Sequence, residues 1–239
     1  MRTGVLVKIT KHMGLLAMVK EVGYDFVLLD NEHGFYSLQE LHDLCMYAGA
    51  IGLETMVRIS EISKTEISKT LDAGANGILV PMVEREEQVK EIVRWAKYPP
   101  LGHRGYSGGA HTSYSKATTH REVIEGANAG RRVYIQIETA AGVQNAAEIL
   151  SQGCLDGVVI GPADLAISLG RPGEMDHEEH MAIMRTIAGL CRDRGIDFGI
   201  IGKESLIRRL QGEVGLAVAA IDSDLLYQGL QRQFQAVQS

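Results

Sequence analysis

Apolar residues along the chain fall into short unbroken runs, at positions 5–9, 26–29, 55–59, 78–80, 133–137, 158–160, 198–201 and 216–221. The runs are rich in Val, Ile and Leu and do not alternate with polar residues, the pattern of parallel strands covered on both faces. Between them lie amphipathic stretches such as SLQELHDLCMYAGA (37–50), SKTEISKTLDAGA (63–75), REEQVKEIVRWA (85–96) and TAAGVQNAAEILSQG (139–153), whose apolar spacing predicts helices. Four junctions, VKEVGYDFVLLD, LDAGANGILVP, LSQGCLDGVVIGP and RLQGEVGLAVAAID, read as helix end, Gly, then strand, because Gly accepts the left-handed conformation that closes a helix. About eight such units predict an α/β protein, a single-domain (β/α)8 TIM barrel spanning 1–239, since that fold usually needs ~250 residues. A doubly wound open sheet shares the alternation and is the other architecture the pattern allows.

Composition narrows the partners. With 45% hydrophobic residues the 239-residue chain can bury a sizeable core, and no linker, low-complexity tract or charge block divides it. A formal net charge of −6 argues against a surface that gathers nucleic acid or anionic membrane, so small molecules are the expected partners. The first residues lack the features of a secretory signal and no run approaches the ~20 apolar residues of a membrane span, so a cytoplasmic protein is expected. Cys45, Cys154 and Cys191 are odd in number and widely spaced, which predicts reduced packing residues rather than a zinc site.

A barrel gathers its chemistry at the C-terminal ends of its strands. There the sequence offers Asp30 and His33 after the second run, Arg58 in the third, Pro81 after the fourth, Glu138 after the fifth and Asp164 after the sixth. Neighbouring strands lie about 4.8 Å apart, so Glu138 and Asp164 can reach one small ion. Two carboxylates completed by water and substrate oxygens suit Mg²⁺ or Mn²⁺. Co²⁺ or Zn²⁺ could substitute, although no further His or Cys at a strand end completes a zinc cage. Acids in the first turn after a strand also serve as helix caps, and that alternative stays open.

Arg58 ends an apolar run, and its planar fork suits a carboxylate or an oxygen that becomes negative during reaction; an internal ion pair is the other use. His33 can exchange a proton near neutral pH, with Asp30 fixing its tautomer or ordering a water, unless His33 is an ordinary loop residue. Glu32 is expected to face away or to support the loop, because one general base suffices and a third carboxylate would overcharge a dication. His12, His42, His120, His177 and His180 fall on predicted helices or helix starts and are expected at the surface. A Schiff-base mechanism would need a desolvated Lys at a strand end; Lys8, in the first apolar run, and Lys203, just after GIIG, are nearest, and neither has a surrounding apolar pocket written into its sequence. The Gly-rich segment 97–120 is expected to be mobile or at a subunit contact; a solvated connection is as good a reading as a direct role for Arg104 or His111.

GYDFVLLDNEHG, MVRI, LDAGANGILVPMVE, YPPLGHRG, IQIET and DGVVIGPADLAISLG, in this order, resemble the HpcH/HpaI aldolase/citrate lyase family, and within it the metal-dependent class II pyruvate aldolases. The likeness runs from about Val5 to Asp222. It implies a (β/α)8 barrel in a hexamer, a trimer of dimers exchanging a C-terminal helix. It also implies a lyase that reversibly cleaves a 4-hydroxy-2-oxo acid into pyruvate and an aldehyde, as in aromatic-compound catabolism. By resemblance, Glu138 and Asp164 hold the metal, Arg58 holds pyruvate and its enolate, and His33 with Asp30 forms the catalytic pair. Gln136, Gly161 and Ala163 line the pyruvate site, the last two through backbone groups. Val7, Ile59 and Ala166 depart from residues common in the family and are expected to bear on the second substrate. Rival functions are an acyl-CoA lyase of the same superfamily and a catalytically silent barrel retained for binding or assembly.

Overall fold

The computed structural model describes residues 1–114 and 119–238. The strands are β1 (Arg2–Val7), β2 (Phe26–Asp30), β3 (Glu54–Arg58), β4 (Gly77–Val80), β5 (Arg132–Gln136), β6 (Gly157–Ile160), β7 (Asp197–Ile201) and β8 (Leu216–Ile221). They close in sequence order into one barrel, with β8 parallel to β1, which excludes the open sheet. Helices α1 (Met13–Val22), α2 (Leu38–Ala50), α3 (Lys64–Asp72) and α4 (Glu86–Ala96) follow the first four strands. A 3₁₀ turn (Ala110–Thr112) and α5 (His120–Gly130) precede β5. Next come α6 (Ala140–Gln144), α7 (Ala146–Ile149), α8 (Pro162–Ser168), α9 (Glu178–Arg194), α10 (Glu204–Arg209) and α11 (Asp222–Gln238).

The unbroken apolar runs reflect two separate cores. Leu6, Phe26, Leu28, Met56, Leu79, Tyr134, Val159, Leu216 and Val218 fill the barrel. The alternate residues, among them Val5, Val7, Val27, Leu29, Val57, Ile78, Val133 and Ile160, pack outward against helix residues such as Leu16, Leu44, Ile67, Ile92 and Met184. Each such side chain contributes roughly 1.5–3 kcal/mol on burial. Helix starts are set locally. Ser37 and Glu40 form a capping box on α2, and Ser63 accepts from the Glu66 N–H on α3.

Several expectations meet the structure here. The first strand lies earlier than predicted, at Arg2–Val7, because the Asp222 carboxylate takes the backbone N–H groups of Lys8, Ile9 and Thr10 out of the ladder. His180 is buried, not exposed; its Nδ1 lies 2.8 Å from the Glu174 carbonyl oxygen. Arg104 and His111 are also buried. Arg104 pairs with Asp72 at 2.7 Å and lies over the Tyr98 ring, while Arg131 donates to the His111 carbonyl, so this part of segment 97–120 is packed structure. Residues 115–118 of that segment lie outside the described residues. Val7 and Ile59 lie in the outer core and Ala166 is buried in α8. Cys45 and Cys191 are free and buried, and burial pushes their thiols up to about 11 and about 12. Among the described residues no helix is long and apolar enough to cross a membrane.

Candidate active site

Asp30 and Arg58 end adjacent strands and are direct neighbours in the β2–β3 register. Their side chains are 1% and 8% exposed and form a fork-to-fork pair, Nε to Oδ1 at 2.8 Å and NH2 to Oδ2 at 2.7 Å. The remaining guanidinium nitrogen, NH1, lies 3.0 Å from Glu32 Oε2 and 3.4 Å from Gln136 Oε1. Burial works against the charge on Arg58, but the hydrogen bonds and charge of Asp30, with Glu32 beyond, hold the guanidinium above its ordinary value. A bidentate, buried pair of this kind fixes the arginine plane as a loose side chain could not.

This geometry corrects two expectations. Asp30 is spent on Arg58 and on the N–H groups of Glu32 and His33, which it accepts through Oδ1 at 3.2 and 3.4 Å. It orders the turn that carries His33 but does not touch the imidazole. The His33 side chain is 64% exposed at the rim, with Nε2 3.9 Å from Glu32 Oε2. Glu32 does not face away: it stands between Arg58 and His33. Burial raises its carboxyl above the ordinary value, Arg58 and His33 pull it down, and Asp30 and Asp164 push it up again.

Across the mouth, β5 delivers Gln136 and, two residues on, Glu138, both nearly fully buried. Gln136 Nε2 donates to Glu138 Oε2 at 2.7 Å, and the Met82 N–H donates to Oε1 at 3.2 Å. Met82 adopts a positive φ of 54°, a conformation that costs a non-glycine residue and is kept where surrounding structure demands it. Burial pushes the Glu138 carboxyl up to about 7; the Met82 hydrogen bond opposes this, Asp164 and Glu32 add to it, and Arg58 lowers it. Gly161 caps α8, and a Cβ there would stand 2.1 Å from Glu138 Oε2, so only glycine admits the carboxylate at this strand end. Ala163 and Asp164 are exposed in the first turn of α8.

Four carboxylates, Asp30, Glu32, Glu138 and Asp164, thus act on one another around a single guanidinium, Arg58. The surplus is negative, all donors are oxygen, and the buried Glu138 is held by its neighbours with its charged form disfavoured. These are the features a hard divalent cation would reverse. Among the described residues no three His, Cys, Asp or Glu side chains converge into a ready cage. Glu138 and Asp164 would therefore supply two ligands and leave the remaining positions to water and substrate.

Of the lysines at strand ends, Lys203 is exposed and precedes α10, whereas Lys8 is half-buried just after β1. Two structural residues of the mouth went unrecognised in the sequence. Asp222 accepts four backbone N–H groups, from Lys8, Ile9, Thr10 and Ser223. The Tyr36 hydroxyl lies 3.1 Å from the carbonyl oxygens of both Val7 and Thr10.

The chain is similar to known proteins along nearly its whole length. It is 30% identical over 219 residues to the 2-keto-3-deoxy-L-rhamnonate aldolase of Klebsiella pneumoniae subsp. pneumoniae, covering 91% of this chain and 82% of the relative. It is 32% identical over 203 residues to the hydroxypyruvate/pyruvate aldolase of Agrobacterium fabrum, covering 85% and 76%. The crystal structure of an HpcH/HpaI aldolase from Desulfitobacterium hafniense superposes with a TM-score of 0.95 at 25% identity, over 100% of this chain and 93% of that one. The profile of one family matches residues 3–218, from β1 into β8. The chain belongs to the HpcH/HpaI aldolase/citrate lyase family.

Proposed function

We propose that the protein is a class II pyruvate aldolase, a carbon–carbon lyase that reversibly cleaves a 4-hydroxy-2-oxo acid into pyruvate and an aldehyde. The observation that carries this reading is the bidentate Arg58–Asp30 pair facing the buried Glu138 carboxyl within a surplus of acidic groups at the barrel mouth. Relatives named as aldolases support the reaction class. The names 2-keto-3-deoxy-L-rhamnonate and hydroxypyruvate give no support to a place in aromatic-compound breakdown.

Glu138 and Asp164 would hold a divalent cation, Mg²⁺ or Mn²⁺ by donor type, with Co²⁺ or Zn²⁺ as substitutes. When bound, such an ion polarises the 2-oxo group as a Lewis acid, worth several kcal/mol. Gln136 orients both halves of the site, because its amide nitrogen holds Glu138 while its oxygen faces Arg58. Gly161 and Ala163 would line the pyruvate site through their backbone groups, with Gly161 lying directly against the Glu138 carboxylate.

In cleavage, His33 takes the C4 hydroxyl proton directly or through water, which its exposed position at the rim permits. The C4 oxygen becomes the aldehyde carbonyl, the C3–C4 bond breaks, and its electron pair passes to C3 and the 2-oxo oxygen as the enolate. Arg58, its plane fixed by Asp30, donates to that developing negative charge without reorganising. Protonation at C3 completes pyruvate. Asp30 is then a positioning residue for both Arg58 and the His33 turn.

The exposed apolar residues of α11, Leu226, Tyr227, Leu230 and Phe234, support helix exchange with a second copy in a larger homo-oligomer. The acyl-CoA lyase alternative draws on the family description and on likeness of fold to a solved citrate lyase.

The test is to incubate Mg²⁺- or Mn²⁺-loaded protein with pyruvate and an aldehyde panel, identifying adducts by mass spectrometry and following deuterium uptake at pyruvate C3. Adducts together with uptake are expected. Neither, with every metal tried, would sink the proposal.

A further inference from the structure

Pyruvate forms only when the enolate gains a proton at C3. Resting on the aldolase reading above, we infer that Glu32 is the group that exchanges this proton, protonating C3 in cleavage and removing a methyl proton from pyruvate in the reverse direction.

Position comes first. Glu32 Oε2 lies 3.0 Å from Arg58 NH1 and 3.9 Å from His33 Nε2. In the substrate, C3 lies between C2, whose oxygen meets Arg58, and C4, whose hydroxyl meets His33. The carboxylate between the two side chains therefore stands beside the carbon between the two functional groups. Glu32 also acts electrostatically on Glu138 and feels Asp164, so it faces the side of the mouth on which pyruvate is held.

The other acids of the mouth are committed. Asp30 grips Arg58 with both oxygens and takes two backbone N–H groups. Glu138 accepts from Gln136 and Met82, and with Asp164 it is reserved for the cation. Among the described residues Glu32 accepts no backbone hydrogen bond, and its ion pairs are with Arg58 and His33. With its side chain 18% exposed, it is screened from bulk water yet open enough to trade protons with it. Burial favours its protonated form, while Arg58 and His33 favour the ionised one. A carboxyl so opposed can serve as acid and as base.

The proton inventory closes. In cleavage the C4 hydroxyl proton passes to His33, the C3–C4 electron pair becomes the enolate, and the Glu32 carboxyl delivers its proton to C3. The His33 imidazolium then reprotonates the Glu32 carboxylate, so the proton lost at C4 ends at C3 and both side chains return to their starting state. With pyruvate alone, the carboxylate takes a C3 proton and returns a solvent deuteron. That exchange has no part for His33.

The experiment follows deuterium uptake at pyruvate C3 by NMR in Mg²⁺-loaded wild type, Glu32→Gln, Glu32→Asp and Glu32→Ala, with Mn²⁺ affinity of each read by EPR titration. Asp30 still clamps the guanidinium in every variant. Glu32→Gln should lower uptake by ~10²–10⁴, the contribution of a positioned acid–base group, and Glu32→Asp should retain roughly tenfold more than Glu32→Gln. Added acetate should restore uptake to Glu32→Ala, and fluoroacetate, of like size but less basic, should restore it more slowly. A group that merely braces Arg58 would not rank the two by basicity. Mn²⁺ affinity should stay within about threefold of wild type throughout, because Glu32 is not a ligand. Wild-type uptake in Glu32→Gln, a rescue that does not distinguish acetate from fluoroacetate, or a parallel loss of Mn²⁺ affinity overturns the assignment. Wild-type protein separates the two levels. No uptake there with Mg²⁺, Mn²⁺ or Co²⁺ removes the aldolase reading itself; uptake there that survives in Glu32→Gln removes only the role of Glu32.

Discussion

At the N-terminal end of the barrel Glu54 stands between Arg2 at 2.5 Å and Arg132 at 3.3 Å, and the Tyr134 hydroxyl donates to Asp197 at 2.7 Å. Two cations and two carboxylates close that floor. At the other end of the same strands four carboxylates share one guanidinium, a carboxyl is pushed up to about 7, and a non-glycine residue is held at positive φ. Polar groups that only stabilise can be neutralised where they stand. On the proposed reading, groups that would meet a cation and a developing negative charge are left unneutralised where they stand.

If that contrast is right, the mouth should fail first when its cation is withheld. Treatment with EDTA should abolish both adduct formation and pyruvate exchange, and Mg²⁺, Mn²⁺ or Co²⁺ should restore them. Full turnover in chelated protein, or a lysine adduct trapped by borohydride, would break the comparison at its strongest point.

Next in size, His33→Ala should lower kcat for cleavage by ~10²–10⁴, the contribution of a positioned acid–base group. Metal affinity should hardly move and pyruvate exchange should suffer less, because exchange has no C4 hydroxyl to deprotonate. Parallel metal titration and both rates decide this; joint loss of all three would make the His33 turn a ligand loop. Arg58→Ala should reduce cleavage and exchange together by ~10²–10³, as for other groups that stabilise a developing oxyanion. Exchange at the wild-type rate would remove Arg58 from the enolate step.

A smaller effect concerns stability. The Glu138 carboxyl holds its proton to about pH 7 when folded and loses it near 4.5 when unfolded. The folded state therefore binds the extra proton between those values, and metal-free protein should lose roughly 3 kcal/mol from this group as pH rises through that window. Thermal unfolding in EDTA should show a lower Tm at pH 8 than at pH 5.5, a slope reduced in Glu138→Gln and in Mg²⁺-loaded wild type. An identical slope in Glu138→Gln would sink the account. At the floor, Tyr134→Phe should cost only about 1 kcal/mol in urea unfolding and leave kcat/KM within about twofold. A tenfold loss of activity there would erase the distinction between the two ends.

Much of the mouth was legible because strand parity governs it. Gln136 and Glu138 share a face, and Asp30 and Arg58 end neighbouring strands. The same parity, extended, puts Glu32 on the face of Asp30 and His33 on the other. The weighing of charge that turned Glu32 outward left out the guanidinium that draws it in. Pairing Asp30 with His33 followed proximity in sequence, whereas the register sets Asp30 beside Arg58. The eight apolar runs gave the barrel and its order. They could not mark where β1 begins, because Arg2 starts the strand on an ion pair with Glu54 fifty-two residues away. His180 was misjudged because its burial depends on packing against the chain ahead of α9, with its Nδ1 at the Glu174 carbonyl oxygen, which helix position alone does not reveal.

Asp222 closes a circle as well as a loop. Its carboxylate joins the end of the last strand to the end of the first across 212 to 214 residues of chain, the longest-range side-chain ties described. The amides of Lys8, Ile9 and Thr10, although outside any strand, should therefore exchange with solvent as slowly as ladder amides. That protection should vanish together with barrel closure rather than with local fraying. A circular permutant that opens the chain between β8 and α11 would sever this seam. One opened at an α-to-β turn on the floor would keep it.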